Sequence, residues 1–325
     1  MFEGGIILNK EKTKTHLLKA GKKTTHTGYF SPEIDPAIKI DSGDTVIFDT
    51  LMLQDDQLSP NMSLKELEEL RKEYKKAKKG GHVLTGPIYI NQAEPGDFLE
   101  IEMKKITCKP YGVIFNLGSN HKKGTLYEYI NKGRLKGLYI DNEKDIIHFT
   151  DNISLPLNPF LGCLGLAPPE AKINSSSPGK HGGNIDCKEL TVDSKLFLPV
   201  FNKGALFSAG DAHATQGDGE SCLSAVETAF SEVKLKFTVR KDIQIPFQYP
   251  IAETENYWIT FGFSKDLDQA VKSALKNMVE FISVKYNLDE NDSYLLASAS
   301  VDLAVTQNVN PIKGIHAKLP KDIFV

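Results

Sequence analysis

The sequence predicts a mainly β protein with added helices, a β-rich α+β fold with a jelly-roll-like β-sandwich core and peripheral helices. Three observations favour this class. Short apolar runs are separated by Gly, Pro and Asp along most of the chain. Residues 233–240 alternate apolar and polar side chains, as a half-buried strand does. Only two long segments have helical periodicity, and they do not alternate with strands as βαβ units do.

The strand predictions rest on a pattern that occurs twice: a short apolar run, a turn containing Gly-Asp, and a returning apolar run. The strands predicted from this pattern are Ala37–Ile40, Thr45–Asp49, Ile88–Ile90 and Phe98–Met103. The similarity between the two copies is too weak to define a repeat. Two more strands, at 196–200 and 205–208, are predicted just before a segment rich in polar residues.

Two long helices are predicted from apolar spacing and from their capping residues. The spacing of Ser63 and Glu66 matches a capping box, and it predicts a helix over residues 64–79 that Gly80-Gly81 ends. Asp266 and Gln269 have the same spacing at the start of a helix over 267–286. A shorter helix is expected near residues 292–299.

We expect one domain over residues 1–325, with a helical-β subregion at about 245–325. No segment has the composition of a clear linker. Residues 174–183 are rich in Ser, Gly and Pro, but they lead directly into polar residues. We interpret them as an active-site loop.

The composition excludes several classes of protein. Of the 325 residues, 40% are apolar and 25% charged, which is ordinary for a globular protein with a sizeable core. The net charge of −3 does not suggest a nucleic-acid partner, and the basic run Lys72–Lys79 is interpreted as a solvated helix face. The four cysteines lack CxxC spacing, which argues against a zinc ribbon.

The cellular location is predicted from the start of the chain and the cysteine content. The apolar run Gly4–Leu8 is too short for a signal peptide or a membrane span. Four cysteines in a chain of this length do not indicate a secreted disulfide framework. We therefore expect a cytoplasmic homo-oligomer, a dimer, with no membrane partner.

The segment from Gly210 to Glu220 is the most informative for chemistry. It holds four ionisable groups: Asp211, His213, Asp218 and Glu220. Residues two apart in a strand face the same side, so Asp211 and His213 can point into one site, and so can Asp218 and Glu220. Such ligands suit a divalent metal, most of all zinc. Gly-Asp pairs also form ordinary turns, but this density of ionisable groups exceeds what a turn requires.

This segment strongly resembles the signature of the acetamidase/formamidase family. Other stretches continue the resemblance over almost the whole chain: 81–88, 93–97, 179–186, 197–200, 203–207, 225–228 and the tail from Tyr294 to Pro320. The resemblance implies hydrolysis of short aliphatic amides, a β-rich sandwich core and a place in the shorter bacterial branch. The least similar stretch is 113–151, where His121 and His148 are interpreted as surface residues.

Roles for individual residues follow from what amide hydrolysis requires. A metal activates water and polarises the carbonyl, while a carboxylate moves the proton to the departing nitrogen. The candidate metal ligands are His82, Asp211, His213 and Glu227, with His26, Asp55 and Asp56 as further candidates. Glu220 is the candidate acid/base, and His181 and Asp186 are expected to bind the oxyanion or fix the substrate. A role of His181 as a metal ligand is an equal alternative.

Two other interpretations stay open. Cys222 lies close to Glu220 in sequence and is a candidate nucleophile of an amidase that attacks through a thiol. Loops rich in Asp, Gly and Glu also bind calcium, so the chain could be a cation-binding β-sandwich without enzymatic activity. Separated histidines argue against calcium, which prefers oxygen ligands.

Overall fold

The computed structural model describes residues 13–77 and 79–324. The apolar run Gly4–Leu8 lies outside these residues. The helices are α1 Leu53–Asp56, α2 Leu64–Lys76, α3 Leu267–Tyr286 and α4 Glu290–Ser300, and a 3-10 turn spans Ser119–His121. The strands are β1 Thr15–Leu18, β2 Thr25–Thr27, β3 Tyr29–Phe30, β4 Ile38–Ile40, β5 Thr45–Phe48, β6 Val83–Ile90, β7 Phe98–Cys108, β8 Tyr111–Asn116, β9 Arg134–Asp141, β10 Ile146–Thr150, β11 Ile153–Pro156, β12 Phe160–Gly165, β13 Ile173–Asn174, β14 Gly182–Asn184, β15 Lys195–Pro199, β16 Phe207–His213, β17 Glu227–Thr228, β18 Phe230–Arg240, β19 Ile251–Glu253, β20 Tyr257–Ser264, β21 Asp302–Gln307 and β22 Lys313–Pro320.

Two large sheets form the body of the protein. One has nine strands in the order β1-β5-β18-β7-β15-β19-β20-β22-β21. The other has eleven, with the path β11-β10-β9-β8-β17-β16-β12-β14 and with β6 joining β16 to β2 and β4. The pairs β1–β5 and β4–β6 are parallel, whereas the long central pairs, such as β7–β18, β12–β16 and β20–β22, are antiparallel. The predicted mainly β fold with peripheral helices is confirmed.

The largest hydrophobic core contains residues from both sheets. Phe207 of β16 meets Phe237 of β18 edge to face, with ring centroids 5.1 Å apart. Leu99 and Ile101 of β7 and Leu161 of β12 belong to the same buried cluster. Burying both inner faces in this way is what drives two sheets to pack as a sandwich.

Helix α3 covers the C-terminal part of the nine-stranded sheet. Its Ala274 carbonyl accepts a hydrogen bond from Thr260 Oγ1 at 2.9 Å, and Asn277 Nδ2 donates to the Phe261 carbonyl at 2.9 Å. The approach is close because Gly262 has no side chain: a Cβ there would lie 2.1 Å from the Ala270 carbonyl oxygen.

The predicted helices are confirmed, with one boundary changed. The capping box of Ser63 and Glu66 forms as expected. Helix α2 ends at Lys76 rather than Lys79, because the Lys79 N–H bonds to the Tyr74 carbonyl in a wider closing turn. Helix α3 has the predicted limits, and the Asp266 side chain accepts from the backbone N–H of Gln269. No helix among the described residues is long and apolar enough to cross a membrane.

Candidate active site

The core of the site is the C-terminal half of β16, which carries Asp211 and His213. Both are buried, and Asp211 Oδ1 lies 3.5 Å from His213 Nε2. The two side chains therefore meet, as their spacing predicts. Asp211 has a φ of 58°, so the strand does not keep regular geometry at this position. Backbone in this strained region is often found at functional sites.

Neighbouring segments bring the other charged groups to β16. Glu227 lies opposite His213 in the β16–β17 register, with Glu227 Oε2 3.5 Å from His213 Nε2. His82 precedes β6, and its Nε2 lies 3.6 Å from Asp211 Oδ2. Asp186 follows β14, with Oδ1 4.0 Å from His213 Nδ1. Sheet pairing thus gathers residues that are far apart in sequence.

Within the described residues, three sets of side chains at this site have donor atoms close enough to share a metal ion, and a fourth set, Cys187, Glu189 and His316, lies elsewhere. In each set the atoms lie within 4.8 Å of one another. The sets at this site are His82, Cys163 and Asp211; Asp186, Asp211 and His213; and His213, Glu220 and Glu227. Asp211 and His213 each belong to two of them. Imidazole, thiolate and carboxylate are the ligands that zinc prefers.

Several buried polar atoms of this cluster lack hydrogen-bond partners. In the part of the chain that the structure describes, both oxygens of Asp186, both ring nitrogens of His213, Glu220 Oε2 and Glu227 Oε2 form no hydrogen bond. Such groups are rare in native proteins because they have lost their hydration without replacement. A divalent cation would supply the missing partner.

The electrostatics agree with this interpretation. Burial, and then the carboxylate of Asp186, raise the pKa of Glu220 well above its usual value. Burial would lower the pKa of His213, but Glu227 and Asp211 outweigh it and raise that pKa. Carboxylates crowded at this density repel one another, and a bound divalent cation relieves that repulsion.

Gly162 of β12 leaves the space in which these groups meet. A Cβ at this position would lie 2.6 Å from both Asp186 Oδ1 and Asp211 Oδ2, and 2.7 Å from His213 Cε1. No real Cβ approaches polar atoms so closely. These three side chains can therefore hold their present positions only because residue 162 has no side chain.

Cys163, also on β12, belongs to the site, although no sequence motif points to it. Its Sγ lies 3.1 Å from His82 Nδ1 and 2.9 Å from Asn184 Oδ1. Burial, and then Asp211, raise the pKa of this thiol. Residues 160–165 form a plain apolar strand with no motif, so only the β12–β16 pairing reveals that Cys163 and Gly162 belong to the site.

Four residues with predicted roles lie elsewhere. His181 is buried, and neither of its ring nitrogens forms a hydrogen bond among the described residues. Its ring packs edge to face with Phe30, and it does not line the cavity described below. The other three side chains each bond to another part of the protein. His26 bonds to Ser208 Oγ at 2.9 Å, and Asp55 accepts a hydrogen bond from the Tyr74 hydroxyl at 2.6 Å. Asp56 forms an ion pair with Lys109 at 3.0 Å. None of the four belongs to the three metal-spaced sets.

The expectation that Asp218 and Glu220 face one site was wrong. Asp218 pairs with Lys188 at 2.7 Å and is exposed, whereas Glu220 is buried. The reason is local: this segment is a turn in which Glu220 has a φ of 46°. The spacing rule for strands does not apply there.

A cavity of about 730 Å³ opens above Asp211, Glu220 and Glu227. Residues 174–184 contribute Asn174, Ser176 and Asn184 to its wall, as the interpretation of 174–183 as a site loop suggests. The rest of the wall comes mainly from α1, α2 and the stretch 115–123. His121 and the basic face of α2 are exposed as predicted, yet both line this cavity.

The remaining predicted surface and thiol positions lie outside the cavity. His148 is exposed and stacks on Tyr139, with ring centroids 5.6 Å apart. Cys222 lines a different cavity of about 180 Å³, and its Sγ contacts the Phe115 carbonyl oxygen at 3.7 Å. Its closeness to Glu220 in sequence does not bring the thiol to the acidic cluster.

Comparisons with known proteins agree over most of the chain. The sequence profile of the Acetamidase/Formamidase family matches residues 13–177 and 170–325. An acetamidase from Bacillus halodurans, known from a crystal structure, is 33% identical, with 95% of this chain and 98% of that chain covered and a TM-score of 0.84.

Two curated relatives match over shorter stretches. An acetamidase of Mycolicibacterium smegmatis is 30% identical over 198 residues, which are 43% of this chain and 48% of that protein. A formamidase of Methylophilus methylotrophus is 32% identical over 168 residues, 45% of this chain and 41% of the relative. The matched stretch thus spans less than half the length of each of these two relatives.

Proposed function

This chain belongs to the acetamidase/formamidase family, and we propose that it hydrolyses a short aliphatic amide, of the formamide or acetamide type, to a carboxylate and ammonia. The observation that carries the proposal is the buried cluster of Asp, Glu and His side chains beneath the cavity, with its unpartnered polar atoms. Amide hydrolysis needs an activated water and a proton carrier, and this cluster contains groups for both.

We further propose that the activity depends on a divalent metal, and that this metal is zinc, since its ligand preferences match the mixed donors. His82, Asp211, His213 and Glu227 would hold it, and Cys163 stands beside His82 as a further donor. When bound, such a cation lowers the pKa of water and polarises the amide carbonyl.

Glu220 is proposed to carry the proton. Its Oε2 would accept a proton from the attacking water. Glu220 would then pass this proton to the departing nitrogen, so that ammonia leaves. Burial raises its pKa, as suits a carboxyl group that must first accept a proton and then donate it. The proposed substrate contact of Asp186 also stays a prediction, because its oxygens are unpartnered but this buried side chain does not line the cavity. The substrate contact of His181 stays a prediction, and so do the cytoplasmic location and the homodimer.

The two alternatives have less support. A thiol mechanism through Cys222 would need that side chain in the main cavity, and it lines another one. A cation-binding protein without activity would use the same acidic cluster, with calcium in place of zinc. Release of ammonia from formamide or acetamide distinguishes an enzyme from such a binding protein.

Replacing Glu220 by glutamine should keep the bound metal and the fold but lower turnover by about 10²–10⁴-fold, the usual contribution of a general acid/base. The amide cannot carry the proton, yet it has nearly the same shape. The measurement is the rate of ammonia release, together with metal content and the thermal midpoint of unfolding.

Cys222→Ser is the matched control for this experiment, because the thiol lies in the other cavity and its loss should change the rate little. The assignment fails if Glu220→Gln retains near-normal turnover while Cys222→Ser has none. Loss of metal in Glu220→Gln would make Glu220 a ligand.

A further inference from the structure

The cavity has two walls of opposite charge. Its floor carries Asp211, Glu220 and Glu227, whereas the side formed by α2 and the following residues is basic. The cationic residues lining it are Arg71, Lys72, Lys75, Lys79 and Lys123. A volume of about 730 Å³ lies in the range of about 300–1,000 Å³ that is typical of sites for much larger ligands than acetamide.

Arg71 is the most deeply placed of these cations. It is half-buried, and its guanidinium lies over the Phe115 ring, 5.8 Å from the centroid. Among residues 13–77 and 79–324, its guanidinium forms no direct ion pair or hydrogen bond, although the negative charge of Glu227 acts on it. A guanidinium has five N–H donors in a fork that matches a carboxylate, and it keeps its charge even when partly buried.

The other charges of the wall leave it with an excess of positive charge. Lys79 is paired with Asp55 at 3.1 Å, and Glu68 with His121 at 3.0 Å. Within the described part of the chain, no ion pair neutralises Lys72, Lys75 or Lys123 at the cavity rim. An anion that entered would meet cations at the rim and Arg71 further in.

Gln54 adds a second unsatisfied group to the same wall. It lies in α1, where Gln54 and Asp55 both have a φ of 54°, a conformation that costs an ordinary residue free energy. Its Oε1 is buried and has no hydrogen-bond partner in the described chain. The Asp55–Tyr74 hydrogen bond ties this turn to α2. This oxygen accepts hydrogen bonds and does not bind a carboxylate, so it makes the wall polar while the anion would rest on Arg71.

These features point to a substrate with two different ends. We propose that the preferred substrates are amides whose far end carries a carboxylate, with the carboxamide at the acidic floor and the carboxylate on Arg71. The half-amide of a short dicarboxylic acid is the simplest such compound. The inference rests on the proposed amide hydrolysis and adds the substrate class.

The test compares half-amides with neutral amides of similar length. Ammonia release is measured for succinamate, glutaramate and adipamate, and for pentanamide and acetamide, with the wild type. We expect at least one half-amide to have a higher kcat/KM than pentanamide. In Arg71→Gln, the ratio of kcat/KM for that half-amide to kcat/KM for pentanamide should fall by about 10- to 100-fold, as expected for loss of a charged hydrogen bond.

Two further variants make the result specific. Lys76→Gln removes an exposed charge from α2 that does not line the cavity, and it should leave the ratio unchanged. Arg71→Lys keeps the charge without the fork, and it should restore part of the ratio, which also covers the case in which Arg71→Gln folds poorly.

The outcomes separate the inference from the function on which it rests. If the wild type hydrolyses neutral amides but prefers pentanamide to every half-amide, the inference fails and the proposed function stands. It also fails if Arg71→Gln lowers all rates equally, because Arg71 would then only balance the charge of Glu227. If no amide in the panel releases ammonia, the proposed function itself fails.

Discussion

Gly162→Ala should abolish both the proposed metal binding and the proposed amidase activity. The added methyl would lie 2.6 Å from carboxylate oxygens of both Asp186 and Asp211, so at least one carboxylate must move. A displacement of about 1 Å in a catalytic arrangement can cost about 10²-fold in rate, and we expect at least that loss. The measurements are metal per folded protein, ammonia release and the thermal midpoint of unfolding.

Gly262→Ala is the matched control. It also adds a methyl at a crowded core position, against α3, with a Cβ 2.1 Å from the Ala270 carbonyl oxygen. Overpacking of this kind costs typically about 1–3 kcal/mol of stability. Folded Gly262→Ala protein should nevertheless keep its metal and its rate. A Gly162→Ala protein with full metal and full activity would show that the acidic cluster is not the reaction site.

Asp211→Asn is expected to have an effect of similar size. Asp211 contributes to two of the three metal-spaced sets, and asparagine keeps its shape while removing its charge. Removal of a group that only supports a metal ligand typically lowers metal affinity by about 10- to 100-fold. Loss of the Asp211 charge should lower the affinity by at least as much, and the rate should fall with it. His213→Ala should behave in the same way.

Asp218→Asn is the control for this pair, because Asp218 belongs to the same polar segment but pairs with Lys188 on the surface. It should bind metal as the wild type does. Stoichiometric metal in both Asp211→Asn and His213→Ala would mean that neither residue is a ligand.

The fold could be predicted because its signals are local. The capping box at Ser63 and the apolar stripe of α3 are complete within one stretch of sequence, as is the alternation in β18. The end of α2 was misplaced because the final turn depends on one backbone hydrogen bond, from Lys79 to Tyr74. The family resemblance, confirmed by the profile match, covered almost the whole chain.

The site could be predicted only where its residues are neighbours in sequence or stand in a recognised motif. Asp211 and His213 share one strand, so their meeting follows from their spacing. Cys163 and Gly162 belong to the site because β12 pairs with β16, and no local sequence pattern reveals this pairing. Arg71 directly precedes the basic run Lys72–Lys79, which was interpreted as a solvated helix face, because helical periodicity does not show that this face borders a cavity.

The most direct test of metal-dependent amide hydrolysis is ammonia release from formamide and acetamide by purified protein of known metal content. The assay is run before chelation, after removal of the metal, and after addition of zinc. We predict about one or more equivalents of bound divalent metal, loss of activity with the metal, and recovery when zinc is restored. Full activity in protein that elemental analysis shows to be free of metal would contradict the account.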